Sequence, residues 1–90
     1  MKAQALVARN LRKLRVKQGV SQENLAVDAE IDRTYVSRLE RGLENPTVAV
    51  LERLAKALDA KIEEFFILPA AGEPHPKPLQ SGRRKNRIRQ

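Results

Sequence analysis

Between Ser21 and Gly42 two short helical segments meet across a turn of only three or four residues, and this arrangement constrains the chain more than any other feature. Ser21 is placed to cap the first segment, with Gln22, Glu23 and Asn24 in its opening turn and Leu25, Ala26 and Ala29 on its inward face. Asp32 is placed to cap the second, which is announced by Tyr35, Val36 and Leu39 and stops at Gly42. Where two helices cross closely a small residue is needed, and Ala26 is small. The turn needs an apolar anchor, which Ile31 supplies, and the second helix needs two core contacts, which Val36 and Leu39 provide. Arg33, Thr34, Ser37 and Arg38 are left pointing elsewhere.

The rest of the chain reads as helices that enclose this pair. Leu6, Val7, Leu11 and Leu14 recur at helical spacing among Arg9, Arg12, Lys13 and Arg15, predicting an amphipathic helix that ends near Gln18, with Gly19 to terminate it. The stretch Gly42-Leu-Glu-Asn-Pro46 reads as a loop, after which Thr47 caps a fourth helix bearing Val48, Leu51, Leu54, Ala55 and Leu58. Lys61 to Phe66 reads as a short fifth helix contributing Ile62, Phe65 and Phe66, and Pro69 ends the domain. By periodicity the core is Leu25, Ala26, Ile31, Val36, Leu39, Leu51, Leu54, Leu58 and Ile62. The expected fold is all-α: a compact five-helix domain over residues 1–68, with its helix-turn-helix at about 22–41, and a flexible basic tail.

That tail, residues 69–90, holds four of the five prolines and the basic run Arg83-Arg-Lys-Asn-Arg-Ile-Arg89, without apolar periodicity, so it is expected to be disordered or extended. It also holds most of the net charge of +7. Residues 1–68 carry 12 Lys and Arg against 10 Asp and Glu, whereas residues 69–90 carry 6 against 1. Such a segment can tether the chain to phosphate, bind RNA or a protein partner, or merely solubilise it.

Several function classes are disfavoured. The chain has no cysteine, so a disulfide, a thiolate nucleophile and a cysteine-ligated metal are excluded. The single histidine, His75, lies between Pro74 and Pro76 without a second ligand, and Glu63 and Glu64 read as a solvated pair on a short helix. No nucleophile-base pair or metal cluster is assembled, so no enzyme activity, cofactor or metal is expected. No run of about 18 apolar residues occurs and the opening lacks an apolar signal region, which predicts a soluble, cytoplasmic protein without membrane contact.

Two short helices with a polar second member form a unit that can lay that member in the major groove of double-stranded DNA. The segments Ser21-Gln-Glu-Asn-Leu-Ala26 and Asp32-Arg-Thr-Tyr-Val-Ser-Arg-Leu-Glu-Arg-Gly42, followed by Asn45-Pro46, closely resemble the Cro/repressor-type (XRE-like) helix-turn-helix family, over roughly Leu6 to Phe66. The resemblance implies a lambda-repressor-like fold and sequence-specific regulation of transcription. It assigns Gln22 to a phosphate contact; Arg33, Thr34 and Arg38 to base edges; and Ser37 and Tyr35 to backbone or thymine methyls. Arg41, the Gly42 backbone and Asn45 match the loop that grips phosphate, and Arg15 with Glu40 match a structural pair between the first helix and the end of the third. Arginines at 33 and 38 imply guanines in each half-site. The chain departs from the family at Glu30, a turn position usually held by glycine because the backbone there adopts positive φ.

Singly, Arg33, Arg38 and Arg41 also fit a solvated face paired with Glu40 or Glu44, and Tyr35 fits a half-buried support. The module reads few base pairs alone, so a homodimer on an inverted repeat is expected, joined through the fourth and fifth helices, where Phe65, Phe66, Ile67 and Leu68 either form the seam or close the monomer core. Phage-type repressors and restriction-modification controllers are equally good likenesses, and bound protein either blocks polymerase or recruits it. The alternative from another class is an antitoxin-like partner whose tail orders against a second protein.

Overall fold

The computed structural model describes residues 1–74; His75 and the basic run that ends at Arg89 lie outside the described residues. Four α-helices, α1 (Ala3–Lys17), α2 (Gln22–Ala29), α3 (Arg33–Glu40) and α4 (Val48–Ala57), precede a 3₁₀ helix at Ile62–Phe66. No strand occurs among the described residues. The fifth helix expected from Lys61 to Phe66 is thus a tighter element. In so short a segment the i to i+3 bond from the Glu64 N–H to the Lys61 carbonyl, at 2.9 Å, closes the turn, and the Glu64 carboxylate accepts from the Lys61 N–H.

Each start signal acts as its chemistry predicts. Ser21 Oγ accepts from the Asn24 N–H at 3.0 Å, an Asp32 carboxylate oxygen from the Thr34 N–H at 2.7 Å, and Thr47 Oγ1 from the Val50 N–H at 3.1 Å. The four helix ends share one motif, in which a left-handed residue donates three residues back and its successor five residues back. The left-handed residues are Gly19, Glu30, Gly42 and Asp59, with φ of 69°, 60°, 74° and 52°. At the α2 end the bonds run from the Glu30 N–H to the Val27 carbonyl and from the Ile31 N–H to the Ala26 carbonyl.

The core is built from all five elements, with Leu11, Leu25, Val36, Leu39, Leu54, Leu58 and Phe65 fully buried. Ile31 and Ile62 only flank it, half-buried, because Ile31 lies in the turn between α2 and α3 and Ile62 is the first residue of the 3₁₀ helix. Phe65 therefore closes the monomer core, while Phe66, Ile67 and Leu68 face outward. Buried Asn10 on α1 donates to the Phe65 and Ile67 carbonyls at 2.8 and 2.9 Å, anchoring the end of the 3₁₀ helix. Beyond Pro69 the described chain runs back along α1. There Glu73 pairs with Arg9 at 3.1 Å and Lys13 at 2.8 Å, and Arg9 Nη2 donates to the Pro74 carbonyl.

Candidate nucleic-acid interface

Helix α3 spends its apolar half on the core. Val36 and Leu39 are fully buried, and the residues offset from them around the helix are left outside. Arg33, Thr34 and Arg38 are exposed, and Ser37 and Tyr35 are half-buried beside them. Positions 33, 34, 37 and 38 follow i, i+1, i+4 and i+5, so they share one face. Arg41 and Asn45 are exposed just past the helix, and Gln22 is half-buried in the first turn of α2. All eight residues singled out in the sequence thus sit on α3, the loop after it or the start of α2.

A buried carboxylate ties these elements together. Glu40, at the end of α3, accepts from Arg15 Nε at 2.5 Å and Nη2 at 2.9 Å, from Arg12 Nε at 3.3 Å and from Gln22 Nε2 at 3.1 Å. Burial pushes the Glu40 carboxyl up, but hydrogen bonding and charge from Arg15, with hydrogen bonds from Gln22 and Arg12, pull it below its ordinary value. Two guanidiniums face one carboxylate, so the cluster keeps a net positive charge. Arg15 is buried with Glu40, whereas the Arg12 side chain is 31 % exposed and carries that charge to the surface. The Arg15–Glu40 pair has the structural place expected of it; Arg12 is an added member that spacing alone did not single out.

On the α3 face itself, Arg38 Nε donates to Glu44 Oε2 at 2.7 Å. Glu44 also bears on Tyr35, whose phenol is pushed up first by burial and then by the Glu44 charge. The loop that carries Glu44 is held by Gln4 of α1, whose amide donates to the Gly42 carbonyl at 2.8 Å, and by the Leu43 N–H bound to the Arg38 carbonyl. Gln4 was not legible as a loop anchor, because a polar residue near a helix start has no periodic signal of its own.

The chemistry of this face is that of cations and amides, suited to phosphate oxygens and base edges. No group of three or more His, Cys, Asp or Glu residues able to hold a metal ion occurs among the described residues. Nor, among them, is any helix long and apolar enough to cross a membrane.

A helix-turn-helix family model, HTH_3, matches residues 11–65. The chain is 40% identical over 65 residues to a Neisseria hypothetical transcription factor from Neisseria meningitidis serogroup B, an alignment covering 72% of this chain and 61% of that protein, so the chain spans about three fifths of that relative. The crystal structure of the restriction-modification controller protein C.AhdI from Aeromonas hydrophila is similar at a TM-score of 0.67 and 40% identity, covering 69% of this chain and 94% of that one. The controller protein C.Esp1396I, as a tetramer in complex with its natural 35 base-pair operator, is similar at a TM-score of 0.68 and 35% identity, covering 73% and 87%.

Proposed function

The chain belongs to the HTH_3 helix-turn-helix family, and from that premise we propose that it is a sequence-specific regulator of transcription that binds double-stranded DNA through α3. The observation that carries this reading is the outward face of α3, where Arg33, Thr34 and Arg38 stand exposed on a helix whose opposite face is locked into the core. In the major groove Arg33 and Arg38 donate to guanine edges, Thr34 and Ser37 contact neighbouring bases or sugar-phosphate, and Tyr35 packs at the rim. Gln22, Arg41 and Asn45 hold phosphates on either side and set the register. The likeness to a controller protein described in complex with its operator supports this assignment.

A homodimer supplies the remaining specificity. Phe66, Ile67 and Leu68 are 46 %, 57 % and 70 % exposed, a consecutive apolar strip at the end of the 3₁₀ helix that favours pairing of two copies through this helix and α4. Two α3 helices then read an inverted repeat with half-sites about one helical turn apart. The protein acts in the cytoplasm without a catalytic step, and the basic residues past 74 add a salt-sensitive, sequence-independent hold on phosphate.

The test is selection of random duplexes at moderate salt, with the wild type and an Arg33→Ala/Arg38→Ala variant in parallel. Enrichment of an inverted repeat by the wild type alone is the expected result. Equal binding of any duplex by both proteins would overturn the reading.

A further inference from the structure

All four helices end on a left-handed residue, but the four residues are not equivalent. Gly19 and Gly42 have no Cβ to crowd the backbone, and Asp59 has a short polar side chain of the kind that tolerates this region. Glu30, at φ 60° and ψ 47°, has neither advantage. It closes α2, and only Ile31 and Asp32 separate it from the first residue of α3.

Each helix end also has a side chain on a nearby carbonyl: Arg15 on Val20, Gln4 on Gly42 and Gln18 on Leu58. At Glu30 the clamp is of another kind. Arg53, on α4, donates through Nε to the Ala29 carbonyl at 3.1 Å and through Nη2 to the Glu30 carbonyl. Its planar fork matches two successive carbonyls, which an amide nitrogen or an ammonium cannot do with the same rigidity. The carbonyls of Val27 and Ala26 are already taken by the turn itself, so Arg53 completes the end of α2 where the turn leaves off.

We infer that Arg53 is a positioning residue for DNA reading: by bridging α4 to the α2–α3 turn it holds a left-handed glutamate where a glycine would sit without strain, and so fixes the angle at which α3 presents Arg33, Thr34 and Arg38. The inference rests on the assignment of α3 as the reading helix. A two-residue connection transmits any change at Glu30 to the whole of α3, and base contacts tolerate misplacement of only about 0.5 Å.

The experiment compares wild type, Arg53→Ala, Glu30→Gly and the double variant in the full chain. In the free protein, amide hydrogen exchange at Glu30 and Ile31 is read against Leu54 in the core. Arg53→Ala speeds the two turn amides about tenfold relative to Leu54, and Glu30→Gly in the same chain returns them to within about twofold of wild type. On DNA the readout is the affinity ratio between the duplex that the wild type enriches from a random pool and a scrambled duplex of equal length, at a temperature where all four proteins are folded. Arg53→Ala lowers that ratio about fivefold, and Glu30→Gly restores it. Turn amides unchanged in Arg53→Ala, or a double variant no better than Arg53→Ala, would overturn the inference. Should Arg53→Ala not hold its fold, Arg53→Lys carries both measurements, with partial loss expected. A wild type that enriches no duplex removes the DNA-reading function and with it the positioning role, whatever the exchange data say of the turn itself.

Discussion

Arg15 and Glu40 form a forked ion pair inside the domain, with Nε on Oε2 at 2.5 Å and Nη2 on Oε1 at 2.9 Å, and the Glu40 side chain fully buried. The fork fixes the last turn of α1 against the last turn of α3, while Gln22 ties in the start of α2. Breaking a buried pair from one side leaves the other charge without its partner. Glu40→Ala is therefore expected to lower stability by about 3–5 kcal/mol, a large part of the total for a small domain. Arg15→Ala costs less, because Arg12 and Gln22 still bind the carboxylate, and Arg12→Ala least, because its single 3.3 Å bond is partly solvated. Urea unfolding of the three variants gives the ranking directly; an equal cost for Arg12→Ala and Arg15→Ala would contradict it.

Acid should weaken the same cluster in a defined window. The Glu40 carboxyl lies below its ordinary value of 4.5 in the folded protein, because the bonds and charge from Arg15, Gln22 and Arg12 outweigh burial. A carboxyl depressed by folding stabilises the native state fully above its unfolded value, and that contribution is lost as pH falls through the lower folded value. Urea midpoints recorded from pH 7 down to pH 3 should thus fall along an acid limb that Glu40→Gln flattens, at the cost of a lower plateau at neutral pH. Glu73, held down to about 2 by Lys13, then by the Ala70 N–H and by Arg9, behaves with the same sign, but it is open to solvent on one side and its effect fades with added salt. An acid limb identical in wild type and Glu40→Gln would remove Glu40 from this role.

Glu44 sets a different balance at the surface. It orients Arg38 through the 2.7 Å bond, yet it also places a negative charge on the face proposed to meet DNA. Glu44→Gln keeps the shape and removes the charge, so affinity for an arbitrary duplex should rise, by roughly fivefold at low salt, while discrimination between an enriched and a scrambled duplex falls. A readout without DNA accompanies this: the Glu44 charge, after burial, raises the Tyr35 phenol, and Tyr35 is the single tyrosine, so an ultraviolet titration should show its pKa lowered in Glu44→Gln. An unchanged titration would mean that Glu44 does not act on this face.

The caps and stops of the helices were readable because each signal is local: Ser21, Asp32 and Thr47 hydrogen-bond within their own first turns, and glycines sit at two of the four stops. The face of α3 was readable because burial of Val36 and Leu39 leaves its other positions outside. What was not readable depends on pairs far apart in sequence. Arg53 is a surface arginine by periodicity, and its clamp on Ala29 and Glu30 exists only because α4 packs against α2. Arg12 looked like any solvated cation until α3 brought Glu40 beside it. The 3₁₀ geometry at Ile62–Phe66 was hidden because a segment this short shows the same apolar spacing in either helix.

Asn10 links the core to the proposed dimer seam. Its Nδ2 donates to the carbonyls of Phe65 and Ile67, so one buried amide holds both the residue that fills the core and the strip that follows it. Asn10→Leu keeps the bulk but leaves two carbonyls without this donor, one of the bonds being fully buried, and should cost about 1–3 kcal/mol in urea unfolding. The larger consequence is for assembly. Without the two bonds, Phe66, Ile67 and Leu68 lose their fixed presentation, and a surface that must be ordered upon pairing binds more weakly. Sedimentation equilibrium under conditions where the variant is fully folded should show its dimer dissociating at about tenfold lower dilution than wild type. A folded Asn10→Leu variant that dimerises as tightly as wild type would place the seam elsewhere, whereas Phe66→Glu or Leu68→Glu giving monomers would place it on this strip.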